Sequence, residues 1–527
     1  MDLALLSARI FTGDPRHPWA EALAVRDNQI IAVGRNEEIR QACRRDTHLL
    51  ELPGRLVTPG LVDAHMHFMS LGWASQMVNL QNLTSLEACR EKIRQAAAGC
   101  PPGQWIIGRG WDHHKWQDKR EPTFKDLDDL TPDHPAMMIR ACGHSIWVNS
   151  RALALAHIDR RTPEPEGGKI ERFPASGDPT GLIREARWLV EDHIPAPSPD
   201  ERQEAGLRAQ AAALRVGVTG VHSCEGLQEW EALSALDRQG KLKLRVYHLL
   251  PTDKLEEATQ RGIRPGFGSR HLWFGHVKLF ADGSLGSGTA LLHEPYADDA
   301  SQRGIPFLAP EVLQERIEAA YRQGWDVAIH AIGDKAVTHA LEKIAAARAR
   351  YPGPRRDRIE HVQLFRPQDL SLFRDLGAVA SVQPVFVPTD WATADVRWGQ
   401  PRCGCAYAWK TLLEARIPLQ FGSDAPVESI NPLYGLHAAV TRQDRQGNPA
   451  GGWCPNQKLT LPDALAGYTR RAAWTARRED HLGSVAKRKW ADLTVFAQDL
   501  TRLAPEDWLQ TEVEMTMVDG KIVYQRS

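Results

Sequence analysis

The sequence predicts an α/β chain built on a (β/α)8 TIM barrel, with a small β-sandwich formed by both termini and an insertion domain after the first barrel strand. Three observations predict it. Short apolar runs ending in His, Lys or Asp alternate with helical segments; those run ends are spaced in multiples of one βα unit; and β-rich stretches flank the whole array.

Residues 1–57 carry "ALLSARIFTG", "EALAVRDNQIIAVG" and "RLVTPG", which read as strands. The opening "MDLALLSARIFTGD" has an acidic second residue and a short apolar run stopped by Arg9, so it reads as a strand of the mature protein, not a secretory signal. Next comes "VTPGLVDAHMHF", Val57 to Phe68, as the first barrel strand. Side chains alternate along a strand, so His65 and His67 share a face and can point at one object, such as a metal ion. Taken alone, such a pair is as readily two surface or core histidines.

From about 70 to 199 the chain holds far more than one βα connection requires, including "GQWIIGRGWDHHKW" and a Pro/Gly-rich "RTPEPEGGKIERFPASGDPTG". This is read as an insertion domain roofing the barrel mouth. Its Trp105, Trp111, Trp116 and Trp147 either wall a substrate site or form the domain's own core.

"GVTGVHS" and "KLRVYHLL" supply the second and third barrel strands, and "HVKLFADGSLGSG" the fourth. "WDVAIHAIGDKA", "DRIEHVQL", "AVASVQPVF" and "IPLQFGSDAPV" supply the fifth to eighth. One βα unit of roughly 30 residues separates His330 from His361, and two separate His361 from Asp424. Helical segments such as "PEVLQERIEAAYRQG", "KAVTHALEKIAAARARY" and "RPQDLSLFRDLG" lie between, with apolar residues at three-to-four spacing. Lys278, His330, His361 and Asp424 then fall at strand C-termini, where barrel enzymes place their chemistry.

"LTLPDALAGYTRRAAWTA" reads as the last helix, and "ADLTVFAQD", "EVEMTMVDG" and "KIVYQRS" as strands, with Asp519-Gly520 a hairpin signal. The expected domains are therefore a sandwich from residues 1–57 and 483–527, and a barrel over 58–482 interrupted by the insertion.

Composition narrows the function classes. A chain of 527 residues with 42% hydrophobic and 25% charged residues is an ordinary globular protein large enough for more than one core. Lys plus Arg at 65 balance Asp plus Glu at 66, so neither nucleic acid nor an anionic membrane is expected as a partner. No run reaches the roughly 18 apolar residues of a membrane helix. The 8 cysteines are scattered without C-x-x-C spacing, which favours a reducing cytoplasmic setting in which most are small core residues.

The set "PGLVDAHMHF", "VKLFADGSLGSG", "IHAIGDKA", "IEHVQ", "GSDAPV" and "ADLTVF" resembles the amidohydrolase superfamily, specifically the branch of N-substituted formamide deformylase-like hydrolases. The resemblance spans nearly the whole chain. It implies that His65, His67 and Asp424 ligate one metal, His330 and His361 a second, and that Lys278 bridges them. An ordinary lysine is an ammonium with no lone pair to donate, so the resemblance further implies that carbon dioxide converts Lys278 into a carbamate. On "VKLF", Lys278 and Phe280 share the face opposite Val277 and Leu279, and an unpaired cation inside a barrel is costly.

The implied cofactors are two divalent ions, most simply zinc, that supply hydroxide at neutral pH, with Asp424 as general base. His144, in a "GHSIWVNS" stretch similar to one in this branch, is a candidate catalytic partner for the carbonyl or leaving group. It reads equally well as a structural histidine of the insertion. Trp111, Phe280 and Trp391 are the candidate substrate contacts. Arg109, Arg140 and Arg184 either hold a substrate carboxylate or are surface residues with partners.

The expected activity is hydrolysis of a non-peptide amide, such as an N-substituted formamide, on a small-molecule substrate. Ester, lactone or carbamate hydrolysis needs the same nucleophile. A mononuclear cyclic-amidine deaminase would carry a glutamate shortly after the fifth-strand histidine, where this chain has Gly333-Asp334. A non-catalytic binding protein sits poorly with a complete ligand set. Relatives of this kind are often dimers, so a homodimer is the assembly to test.

Overall fold

A computed structural model describes residues 2–141, 143–165 and 168–527. The chain divides into two compact units: residues 1–72 with 202–527, and residues 73–201.

The first unit is built on eight parallel strands: β1 (Leu61–Met66), β2 (Val218–Cys224), β3 (Arg245–Pro251), β4 (Leu272–Phe280), β5 (Asp326–Ala331), β6 (Arg358–His361), β7 (Val379–Val382) and β8 (Leu419–Phe421). They pair in sequence order from β1 to β8. Just beyond their C-terminal ends, the amide of Asp424 donates to the His65 carbonyl at 2.7 Å and that of His67 to the Ala425 carbonyl at 2.8 Å. These bonds draw the last strand to the first. Gly422 permits the approach, because a Cβ there would lie 2.5 Å from the His65 nitrogen.

Nearly every strand residue is buried on both faces, the signature of a parallel sheet covered by helices. The helices α1 (Pro310–Arg322), α2 (Asp334–Arg350) and α3 (Asp369–Leu376) follow β4, β5 and β6. Gly377, in the left-handed region with φ 59°, ends α3.

Two expected elements come out differently. "AVASVQPVF" is a strand only to Val382; Pro384, which has no N–H for a ladder, opens a 3-10 turn over Pro384–Phe386. "LTLPDALAGYTRRAAWTA" forms two short helices, Leu461–Gly467 and Arg470–Thr475, instead of one. The break follows Gly467, whose missing side chain makes room for the Phe421 ring: a Cβ would lie 2.7 Å from it.

Both termini build one sandwich. A four-stranded sheet orders Gln29–Gly34, Ala22–Arg26, Leu3–Leu6 and His48–Glu51. A six-stranded sheet orders Lys521–Gln525, Val513–Val518, Leu493–Phe496, Leu56–Pro59, Arg9–Phe11 and Trp19–Ala20. Their shared core includes Leu5, Leu23, Val57, Leu493, Val495 and Met517.

The second unit is a six-stranded mixed sheet with the helix Leu86–Ala98 on it. Ser85 caps that helix by accepting from the Ala88 amide at 3.1 Å. Trp111, Trp116 and Trp147 join Leu86, Cys89 and Ile93 in its core. The Trp111 indole donates to the Met138 carbonyl at 2.8 Å and that of Trp147 to the Thr123 carbonyl at 2.7 Å.

Among the described residues no helix is long and apolar enough to cross a membrane. Cys142 lies outside them. Of the other cysteines, all free, only Cys89 and Cys403 are fully buried, so the expectation that most are core residues is corrected: the rest are half-covered.

Candidate metal centre

The site is at the C-terminal end of the barrel strands, and it begins with His65 at the end of β1. Its Nδ1–H donates to the fully buried Glu360 carboxylate. Glu360 is itself held by Arg358, two residues earlier on the same face of β6, whose guanidinium also reaches His222 at 2.9 Å and the Ser381 hydroxyl at 2.9 Å. Burial alone would raise the Glu360 pKa, but the charges of Arg358 and His65 outweigh it and hold the carboxylate well below its ordinary range.

The other three histidines follow the same rule. His67 Nδ1 donates to the Cys224 carbonyl at 3.2 Å, His330 Nε2 to the Gly283 carbonyl at 2.9 Å, and His361 Nδ1 to Gln383 Oε1 at 2.9 Å. In each ring one nitrogen is committed as a donor, so the other is left with a lone pair. That is how a metal-ligating imidazole is prepared.

The free nitrogens converge. His65 Nε2 and His67 Nε2 lie 3.5 and 3.4 Å from Asp424 Oδ1, an oxygen buried without a hydrogen-bond partner. Ring centroids of His65 and His361 are 4.9 Å apart, and those of His361 and His330 4.5 Å. His65, His67 and Asp424 offer ligand atoms within 4.8 Å of one another. An orphaned carboxylate oxygen facing two imidazole nitrogens suits a divalent cation and little else.

Electrostatics agrees with that fit. Burial, then the Lys278 charge, lowers the pKa of His65; the same causes bring His330 down to about 4, and burial with the neighbouring histidines takes His361 well below 6.5. These rings are therefore neutral at neutral pH. For His67 the lowering by burial is outweighed by Asp424, and its pKa is raised. Asp424 is buried, which alone would raise its pKa, yet the interaction with His67, whose own pKa is raised, holds it below the ordinary carboxylate range.

Lys278, two residues before the end of β4, is only 3% exposed. No hydrogen bond or ion pair reaches its amine among the described residues; its nearest marked contact is the face of Phe280, 5.0 Å from Nζ. Phe280 also packs its ring 5.3 Å from that of His330. Trp391 is half-buried on the helix Val387–Arg397 after β7.

Trp111, His144, Arg140 and Arg184 belong to the second unit. Trp111 is buried in the core of the second unit. His144, also in that unit, is 53% exposed at its side chain and pairs with Glu185 at 3.1 Å. Arg140 pairs with Asp112 at 3.2 Å and Arg184 with Glu171 at 2.7 Å. A second grouping, Asp112, His113 and His114, could offer metal ligands, but Arg140 already occupies the carboxylate. Asp334, where a deaminase would carry its glutamate, accepts from the His293 amide at 3.0 Å and is spent on the loop.

Glu360, Gln383 and the Cys224 and Gly283 carbonyls were not foreseen. Glu360 had one signal: a buried strand reading Arg-Ile-Glu-His places opposite charges on one inward face just before a candidate ligand.

A parallel eight-stranded barrel with four prepared imidazoles and an orphaned aspartate at its mouth defines a metal-dependent hydrolase. The chain belongs to the amidohydrolase family, whose sequence model matches residues 49–524. It is 34% identical to Protein LONG AFTER FAR-RED 3 of Arabidopsis thaliana over 99% of this chain and 91% of that one. It is 27% identical to the N-substituted formamide deformylase of Arthrobacter pascens over 100% and 99% of the two chains. An uncharacterized metal-dependent hydrolase from Pyrococcus furiosus superposes with a TM-score of 0.80 at 30% identity, covering 94% of this chain and 99% of that one. The protein is thus a hydrolytic enzyme of the class that acts on carbon–nitrogen bonds.

Proposed function

We propose that this enzyme hydrolyses a non-peptide amide, with N-substituted formamides as the substrate class, at a centre of two divalent ions. Zinc is the expected metal. His65, His67 and Asp424 would hold one ion, His330 and His361 the other, and a carboxylated Lys278 would span both. The observation that carries this reading is Asp424 Oδ1, buried and unpartnered while facing two imidazole nitrogens at 3.4 and 3.5 Å.

Paired divalent ions supply Lewis acidity that polarises a carbonyl and ionises water near neutral pH. The chain's own residues do the rest. Asp424 is ionised and acceptor-only, so its second oxygen can take a proton from the attacking water and return it to the leaving nitrogen. Lys278 is buried without an anionic partner, an arrangement that costs free energy as an ammonium. As a neutral amine it can add to carbon dioxide: a nitrogen–carbon bond forms, one proton leaves, and the product is a carbamate anion that would suit a pair of divalent ions. The likeness to a formamide deformylase supports the bond type.

The test joins metal content to turnover. Metal-loaded enzyme is offered N-aryl and N-alkyl formamides, N-acyl amino acids, esters and lactones, and elemental analysis counts the ions. Formamides turned over fastest, about two ions per chain, and loss of activity on chelation are expected. Lys278→Ala should be nearly inactive and partly rescued by acetate or propionate, which can fill the vacated space, whereas Lys278→Arg keeps a charge that does not dissociate and should not recover. Fully active protein without metal would overturn the reading, and turnover of lactones alone would move it to the ester class.

A further inference from the structure

We propose that Phe307, acting with Phe280, forms an aromatic clamp that selects substrates bearing a flat aryl group beside the scissile bond. Phe307 is then a specificity-determining residue of the hydrolase proposed above, on which this inference rests.

Phe280 ends β4, on the same strand face as Lys278, and is 37% exposed. Phe307 belongs to the long connection between β4 and α1 and is 67% exposed. Its ring lies 5.5 Å from that of Phe280 at 46°, and Phe280 lies 5.3 Å from His330 at 36°. Two large apolar rings open to water beside a prepared metal ligand are unusual on a folded surface, where exposed apolar groups that adjoin one another mark binding sites.

The exposure is built, not the by-product of a loose loop. The Phe307 amide donates to the Ala281 carbonyl at 2.9 Å and the Ile305 amide to the Thr289 carbonyl at 3.1 Å, with Asp282 and Pro306 paired across the gap. Asp282 is buried, and its carboxylate accepts from the amides of Leu291 at 2.8 Å, Ile332 at 3.0 Å and Gly333 at 2.8 Å. That joins the base of the connection to the end of β5. Phe307 is thereby presented at a fixed place next to Phe280.

The occupant follows from the geometry. Aromatic rings favour centroid separations of about 4.5–7 Å in tilted or offset arrangements, and His330, Phe280 and Phe307 already form such a ladder. A further ring laid on it gains the same contacts and lies about one ring from the metal-binding histidines. An aryl substituent next to the reacting carbonyl meets that requirement; a charged substituent would have to be desolvated against two phenyl faces.

Hydroxamates test this without depending on which bond the enzyme cleaves, because they chelate metal in hydrolase sites whether or not turnover follows. Calorimetric titration of metal-loaded enzyme compares N-phenyl-N-hydroxyformamide with N-methyl-N-hydroxyformamide, hydroxamates that carry the substituent on nitrogen as the proposed substrates do. The aryl compound should bind at least tenfold more tightly. In Phe307→Ser that ratio should fall about tenfold, as expected for one lost aromatic contact and its buried area, while Phe307→Tyr retains it and Phe307→Leu lies between. An absent aryl preference, or an unaltered ratio in Phe307→Ser at normal metal content and melting temperature, overturns the clamp. Sedimentation showing that Phe307→Ser converts a dimer to a monomer also overturns it, since the rings would then be covered by a second copy. If no amide is hydrolysed but the hydroxamate ratio behaves as stated, the clamp stands and the amide reading falls.

Discussion

At the scale of single residues, the division of labour within each imidazole explains why four histidines can act together. Every ring spends one nitrogen on a protein acceptor, and only the remaining one is available to a cation. Asp424 differs: one oxygen faces His65 and His67, and the interaction with His67 counters the effect of burial and holds the carboxyl pKa down. Asp424→Asn keeps the shape and the four histidines but removes the proton acceptor. We expect kcat to fall by about 10²- to 10⁴-fold while most of the metal is retained, measured as turnover beside elemental analysis. An Asp424→Asn enzyme of normal activity would mean that another group takes the proton. The strand-end positions of His65, His67, Lys278, His330, His361 and Asp424 were legible because strand alternation and βα spacing act over short stretches of sequence. Their partners were not: Glu360 reaches His65, and the Cys224 carbonyl reaches His67, only after strands far apart in the chain have been brought side by side.

At the scale of elements, the ends of strands carry both function and strain. His361 and Val362 have φ of 75° and 44°, and Asp424 has φ of 59°, values that side chains other than glycine rarely adopt. These conformations turn the chain sharply where β6 and β8 finish, which aims His361 and Asp424 into the barrel mouth. The motif "GSDAP" showed a polar turn after an apolar run, and that much was read; the reason for its glycine was hidden. Gly422 lies against the backbone of His65, a contact between strands at opposite ends of the barrel's sequence order. Gly422→Ala would force β8 away from β1 in a place where backbone, not a flexible side chain, is the obstacle. A loss of about 1–3 kcal/mol in urea-induced unfolding is expected, together with weaker metal retention, because Asp424 and His65 shift relative to each other. Unchanged stability and metal content would show that the closure has slack. Gly467, at the break of the last predicted helix, is a similar case: it lies against the Phe421 ring, a contact that the helical periodicity of "LAGYTRRAA" does not reveal.

At the scale of the whole molecule, the barrel unit buries ionisable groups whose pKa shifts pull stability in opposite directions with pH. Burial raises Asp63, Glu225 and Asp282 to about 7, so each contributes stability at low pH that is lost as pH rises towards 7. Buried histidines act the other way. His248, enclosed by Trp230 at 5.5 Å and Phe274 at 4.9 Å between ring centroids, is pushed by burial down to about 4, against a smaller upward pull from the Glu225 and Gly226 backbone. In the unfolded chain its pKa is near 6.5. Above that value both states hold the neutral ring and its contribution is complete; as pH falls from 6.5 towards 4 the unfolded chain takes up a proton that the folded protein refuses, and stability is lost. At 1.36 kcal/mol per pKa unit, the full loss from this one residue is about 3 kcal/mol. The total pH dependence mixes carboxylates with histidines, so a single-residue comparison is needed. His248→Phe keeps an aromatic ring between Trp230 and Phe274 but cannot bind the proton. Unfolding free energies from urea titrations at several pH values should therefore show the variant losing about one proton's worth less stability than the parent between pH 6.5 and 4, with the two curves parallel above pH 7. Parallel curves across the acid range would mean that His248 is protonated in the folded protein, and that its burial among the aromatic rings does not keep it neutral.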